Sequence, residues 1–234
     1  MAKGHITAEQ LKHDPLMDRY VETSTWVKDR SKPLLTGLIV VVVLLGAFFG
    51  IRAFINARAN RAAEALAEAF KIDQAPVSNP LPPNARLAFK TEEEKNRAAY
   101  EAFDKVARDY SSYYGDLARY MAAVKQLNFD ATKAEATLHD LANKNSAVGS
   151  QARFALAQRF AATNRTKEAI DELTKLKANP GDVAPATIDL ALAEAYEANG
   201  DKQKATDIYF DLASQFQGKP SQLGTRALTR LAIL

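Results

Sequence analysis

The feature that most constrains this chain is LLTGLIVVVVLLGAFFGI, an 18-residue run from Leu34 to Ile51 without a charged side chain. As a helix rising 1.5 Å per residue, it covers about 27 Å, close to the hydrocarbon thickness of a bilayer. Extension to Phe54 or Ile55 completes the span, with the Arg52 stem reaching back to headgroup level. Pro33 stands where a first helical turn tolerates proline. The alternative is a buried core helix, but such a helix seldom carries a run like Ile39–Leu45 with a charge-free face all round. A cleaved leader fits poorly. The run begins past residue 30, and Arg52, Arg58 and Arg61 follow it instead of a small-residue cleavage site. The expectation is one transmembrane helix over 34–55. Within it, Gly46 and Gly50 form a small-xxx-small pair, a candidate helix-packing face.

The flanking charges do not orient this helix. Lys28, Arg30 and Lys32 precede it, and Arg52, Arg58 and Arg61 follow it, so the positive-inside rule ties. Residues 1–33 form a polar tail. In it Leu16, Tyr20, Thr23, Trp26 and Val27 recur at helical spacing after Asp14–Pro15, which predicts a short amphipathic helix. The tail has a second reading as a docking site for a cytoplasmic partner. On the other side, Ala53–Ile72 continues as helix with no breaker. Pro76, Pro80, Pro82 and Pro83 then require an extended loop over Ala75–Asn84. Thr91 and Glu94 read as a capping box that starts the next helix. Glu92–Glu94 suit a helix N-terminus and need no catalytic or metal role.

From that point the chain repeats. Ala99, Ala134, Ala169 and Ala205 are spaced by 35, 35 and 36 residues. Four residues after each comes Phe103, Leu138, Leu173 or Tyr209, and three further on Val106, Leu141, Leu176 or Leu212. Each set is one face of a helix. Upstream of the last three units sits a large–small pair: Met121–Ala122, Leu156–Ala157 and Leu192–Ala193. Short turns separate the two helices of a unit, clearest at Thr163–Arg165 and Asn199–Asp201. Self-similarity at this period means stacked helical hairpins. The fold class is therefore all-α: one transmembrane helix, then over 56–234 a solenoid of hairpins. Leu223–Leu234 reads as a capping helix, with Leu228–Thr229 continuing the large–small step.

Chemistry is sparse. Cysteine is absent among the 234 residues, which removes disulfides and thiolate sites. The formal charge of +3 comes without a basic stripe interleaved with aromatics, which argues against nucleic acid. His5 and His13 lie in the tail. His139 sits on a helix beside Leu138 and Leu141 with no second histidine at i, i+4, so a helical zinc site is not supported. There is no phosphate loop or nucleophile elbow. Acidic residues alternate with Lys and Arg as solvated helix faces do. Asn164-Arg165-Thr166 matches a glycosylation sequon, but it falls in a turn where Asn and Thr are expected as capping residues. The expectation is a non-enzyme with no catalytic or metal-binding residues, no cofactor and no small-molecule substrate. Tyr110, Tyr113, Tyr114 and Tyr120 surround Gly115 at a helix junction. They read as packing between hairpins, with an aromatic grip for an extended peptide as the alternative.

Ile188–Phe216 resembles the tetratricopeptide repeat, with Leu192, Ala193, Tyr196, Gly200, Asp201, Ala205 and Tyr209 at that family's preferred spacing. Gln151–Leu176 matches less well, with Asn164 in place of glycine. The unit near Tyr120–Leu141 is weaker, because Lys125 stands where Phe160 and Tyr196 stand later. The first helix of each hairpin lines the concave face of such a solenoid. That register assigns Gln151, Phe154, Gln158, Leu190 and Glu194 to a candidate protein-binding groove.

The whole arrangement resembles the YfgM-type ancillary subunits of the Sec translocon over roughly residues 25–234. The similarity is best in YSSYYGDLARYMAA, in EANGDKQKATDIYFDLASQF and in LTRLAIL. The Ala75–Asn84 insert and the longer tail depart from that family. The resemblance implies a bacterial inner-membrane protein with a cytoplasmic N-terminus and a periplasmic repeat domain. It also implies contact with a SecYEG-type translocon and with a membrane-anchored periplasmic chaperone. The alternative is a scaffold for another envelope complex, in division or outer-membrane biogenesis.

Overall fold

The computed structural model describes residues 31–80 and 87–234. The expected amphipathic helix over Leu16–Val27 lies outside them, as do Pro82 and Pro83. Among the described residues all regular structure is helical. The helices are α1 (Ser31–Asp73), α2 (Glu92–Asp109), α3 (Tyr113–Gln126), α4 (Ala131–Ala142), α5 (Ala147–Ala162), α6 (Thr166–Ala178), α7 (Pro185–Ala198), α8 (Lys202–Gln215) and α9 (Gln222–Leu231). Two compact units divide between Arg58 and Ala59.

In the first unit, α1 carries the apolar run. It is long and apolar enough to cross a membrane, and none of its most apolar stretch is buried. Every large apolar side chain described from Leu35 to Ile55 is more than half exposed. Nothing lies within 4 Å of the places a Cβ would occupy on Gly46 and Gly50.

In the second unit the repeat register accounts for the core. Ala99, Ala134, Ala169 and Ala205 are fully buried. Phe103, Leu138, Leu173 and Tyr209 are at most 1% exposed. A small side chain at a crossing lets two helices approach, and the large one a turn later fills the gap beside it. Each helix from α2 onward meets the next in sequence. Only α3 with α5, α5 with α7 and α7 with α9 also meet across one helix. From α3 onward the odd-numbered helices therefore form an inner layer, and α2, α4, α6 and α8 form a more separated outer layer. Three clusters run along the array: Leu66 and Ala69 of α1 with Phe103 and Ala118, a central one around Leu138, Leu156 and Leu173, and a C-terminal one around Tyr209.

Local chemistry starts and stops these helices. Thr91 Oγ1 accepts from Glu94 N at 3.1 Å. Glu94 reaches back one residue further than an ordinary capping box, accepting from Lys90 N at 3.1 Å. The turn at Gly200 needs a positive φ of 85°, and Asn164 supplies the same left-handed turn one unit earlier at φ 58°. The start of the insert pairs with Phe89: Ser78 N donates to Phe89 O and Phe89 N donates to Pro76 O, both at 3.0 Å.

One expectation is corrected. Leu228 and Thr229 do not continue the buried large–small step: Leu228 is 59% exposed, and Ala227 beside it is fully buried. The third residue of α9 is Gly224, where an added Cβ would meet Phe216 Cβ at 2.6 Å. Gly224 and Ala227, one turn apart, thus form the small face that lies on the hairpin before it, and Leu228 is turned outward.

Candidate functional site

The inner layer carries the residues assigned to a groove, and the structure places them in two groups. On α5, Gln151 and Phe154 are half-buried and Gln158 is exposed. Phe154 packs against the central cluster and holds that face of α5 in place. On α7, Leu190 is 7% exposed and belongs to the C-terminal cluster with Ala227. Glu194 is half-buried and its Oε1 lies 2.7 Å from Arg226 Nε. α9 therefore engages the α7 pair, while the α5 residues border no part of it.

Glu194, Glu197, Arg226 and Arg230 line a cleft of about 410 Å³ between α7 and α9. Arg230 forks onto both carboxylate oxygens of Glu197, with Nε at 3.0 Å from Oε2. The same Oε2 accepts from the Tyr209 hydroxyl at 3.0 Å. Burial, then the hydrogen bond to Glu197, pushes the Tyr209 phenol far above its ordinary range. Burial also raises the Glu194 carboxyl, although Arg226 and Arg230 oppose the shift. Both arginines have matching acids, so the cleft is a closed ion-pair set that fixes α9 against α7.

A second ion-pair set joins units further back. Glu135 on α4 accepts from Arg159 Nε at 3.1 Å and from Arg165 Nη1 at 2.6 Å. Arg165 also covers the Phe160 ring at 4.1 Å. Glu172, buried on α6, is held by Arg153 and Lys175, each at 2.8 Å. Equivalent turns one repeat apart are tied by Thr166 to Asn199 at 3.0 Å and Asn179 to Asn145 at 2.9 Å. These contacts set the pitch between hairpins and involve none of Gln151, Phe154 and Gln158.

The tyrosine group is mostly packing. Tyr110, Tyr114 and Tyr120 are half-buried against core clusters, and burial raises the Tyr120 phenol. Tyr113 is 59% exposed and meets the Tyr114 ring edge-on at 5.6 Å. His139 lies on the exposed face of α4 beside Asn143, 3.4 Å away. Among the described residues no three His, Asp or Glu side chains are placed to hold a metal ion.

Sequence reasoning missed one recurring element. Ser112-x-x-Gly115, Ser146-x-x-Gly149 and Ser221-x-x-Gly224 each open an inner helix. An added Cβ at Gly115 would meet Tyr110 O at 1.6 Å, and one at Gly149 would meet Lys144 O at 2.1 Å. The end of each preceding helix sits on that glycine. The signal was present as Ser-x-x-Gly recurring beside the alanine ladder. The partners Glu197, Arg226 and Arg230 were likewise missed, although two arginines at i, i+4 match two glutamates at i, i+3.

Comparison with known families gives one result. A family model described as a tetratricopeptide repeat-like domain matches residues 25–231. No curated protein and no solved structure matches the chain. Repeat arrays of this architecture serve as protein-interaction scaffolds. The register, the two-layer stacking and the match over nearly the whole length agree: the chain belongs to the tetratricopeptide repeat-like domain family.

Proposed function

We propose that this protein is a membrane-anchored binding platform for other proteins, acting beside the Sec translocon on the periplasmic side of a bacterial inner membrane. The observation that carries the platform reading is the α5 face, where Gln158 is exposed beside a half-buried Phe154 that the core holds in place. Anchoring is supported by α1, a single helix bearing both the apolar run and the core residues Leu66 and Ala69. The resemblance of Tyr110–Ala123 and Glu197–Phe216 to the YfgM-type subunits supports the translocon assignment and the periplasmic side. In this reading the array meets exported chains and hands them to a membrane-anchored periplasmic chaperone. No group in it performs a covalent step.

Affinity purification from detergent-solubilised membranes tests this assignment. SecYEG-type channel subunits and a periplasmic chaperone should co-purify, and Gln158→Arg should reduce their recovery. Recovery of envelope division or outer-membrane assembly proteins in their place would move the platform to another complex.

A further inference from the structure

The chain enters the second unit beside an uncharged, aromatic turn. Within that unit α1 contributes residues 59–73. Their register against α3 shows at which end they start. Asp73 closes α1 and pairs with Lys125, next to the last residue of α3. Ala69 and Leu66 stand four and seven residues before Asp73. Ala122 and Ala118 stand three and seven before Lys125, and all four are buried in one cluster. The two segments therefore run side by side in the same direction. Counting back, the fully buried Ala62 comes level with Tyr114, and Ala59 with Ser111. Residue 59 thus lies at the α2–α3 turn.

The apolar run and its extension end at Ile55, four residues before Ala59. Four residues reach at most about 14 Å, even fully extended. The headgroup layer adds about 5–8 Å to each side of a bilayer's hydrocarbon core. A tyrosine ring at the α2–α3 turn is therefore within reach of that layer.

The turn has the chemistry of that layer. Residues 110–115 read YSSYYG, without a charge. Tyr113 is 59% exposed and meets the Tyr114 ring edge-on, and Ser111 and Ser112 are exposed beside it. Tyr110 and Tyr114 pack on the buried cluster and hold the turn in place. The acids on either side, Asp109 and Asp116, both have partners. The other Ser-x-x-Gly turns differ. Lys144 and Lys219 stand at the Tyr110 step, and Ala147 and Gln222 at the Tyr113 step. Of these three turns, the aromatic one is the one nearest the apolar run. A tyrosine suits the membrane interface because its ring is apolar and its hydroxyl stays wet. We infer that Tyr113 and its turn sit in the headgroup layer of the membrane, so that the first hairpin rests on lipid as well as being tethered to it. This rests on the reading of 34–55 as a membrane span and is independent of the α5 face.

The test uses the full chain, one copy per phosphatidylcholine nanodisc, with its single tryptophan removed by Trp26→Phe. A new tryptophan is placed by Tyr113→Trp or, as a control, by Asn128→Trp. Asn128 is exposed just beyond the far end of α3, about 20 Å away. Tyr113→Trp should emit at shorter wavelength than Asn128→Trp, lose most of its intensity to lipids brominated near the headgroup end of the acyl chain, and resist iodide. Asn128→Trp should show the opposite pattern. Thermal melting checks that both fold. The chain has no cysteine, so Ser111→Cys can carry a nitroxide beside the intact tyrosines. Adding Tyr113→Asp should increase the collisions of that nitroxide with a water-soluble nickel chelate. Flotation with vesicles after an alkaline wash checks the span separately. A Tyr113→Trp emission as red and as open to iodide as that of Asn128→Trp, in a chain that still floats, would overturn the inference alone. So would a nitroxide indifferent to Tyr113→Asp. A chain that no longer floats would overturn the span, and the inference with it.

Discussion

Lys125 Nζ lies 2.5 Å from Asp73 Oδ1, and both side chains are mostly withdrawn from water. This pair explains why the repeat fails at Lys125. Later inner helices carry Phe160 and Tyr196 at that register. The first one meets the end of α1, whose last residue is Asp73. A half-buried ion pair replaces an aromatic contact at that junction.

Breaking this pair from one side should be costly. Lys125→Met leaves the Asp73 carboxylate without its cation and is expected to destabilise the repeat unit by about 3 kcal/mol. Lys125→Met combined with Asp73→Leu should recover most of that loss. Urea unfolding of the four proteins of this cycle measures the coupling, expected at about 1–3 kcal/mol.

Gly149 should be intolerant of a single methyl group. Its Cβ position is 2.1 Å from Lys144 O, a backbone atom that cannot move alone. Gly149→Ala is expected to cost about 2 kcal/mol or more by overpacking. Gly46→Ala, where no atom is near, should leave the melting temperature unchanged. Differential scanning calorimetry on the full chain compares the two.

Much of this fold is legible in the sequence because the alanine ladder is a direct consequence of helix crossing distance. Ala99, Ala134, Ala169 and Ala205 can be read without coordinates, and so can the large residues four positions later. The membrane-length run is legible for the same kind of reason, since it has no polar face. The groove was less legible. Leu190 and Glu194 follow the inner-layer register, but the register does not reveal that α9 engages both. Leu228 misled because periodicity does not show that Gly224 and Ala227 take the buried face of α9 and turn Leu228 outward. Ion pairs such as Glu135 with Arg159 and Arg165 join residues 24 and 30 positions apart, and local spacing does not mark them.

Glu194 should titrate above an ordinary glutamate, because burial outweighs the attraction of Arg226 and Arg230. The folded state then holds the proton more tightly than the unfolded chain. Its contribution to stability is full below the unfolded glutamate pKa and falls as pH rises through the folded value. Carbon-detected NMR of the Glu194 carboxyl should show the raised midpoint. Glu194→Gln should remove this portion of the pH dependence of stability.

Tyr209→Phe removes the hydroxyl that donates to Glu197 while keeping the buried ring. Arg230 still holds that carboxylate, so the expected loss is about 1 kcal/mol. Absorbance titration at alkaline pH should show one phenol fewer resisting ionisation than in the parent protein, because Tyr209 is held protonated well beyond the ordinary tyrosine range.

The central claim is that one apolar helix anchors a protein-binding array outside the cytoplasm, and protease accessibility in spheroplasts tests it most directly. With an N-terminal epitope tag, added protease should digest the array and leave a tagged fragment containing 34–55 protected until the membrane is broken. An array that stays intact in spheroplasts and is digested only after lysis would contradict it.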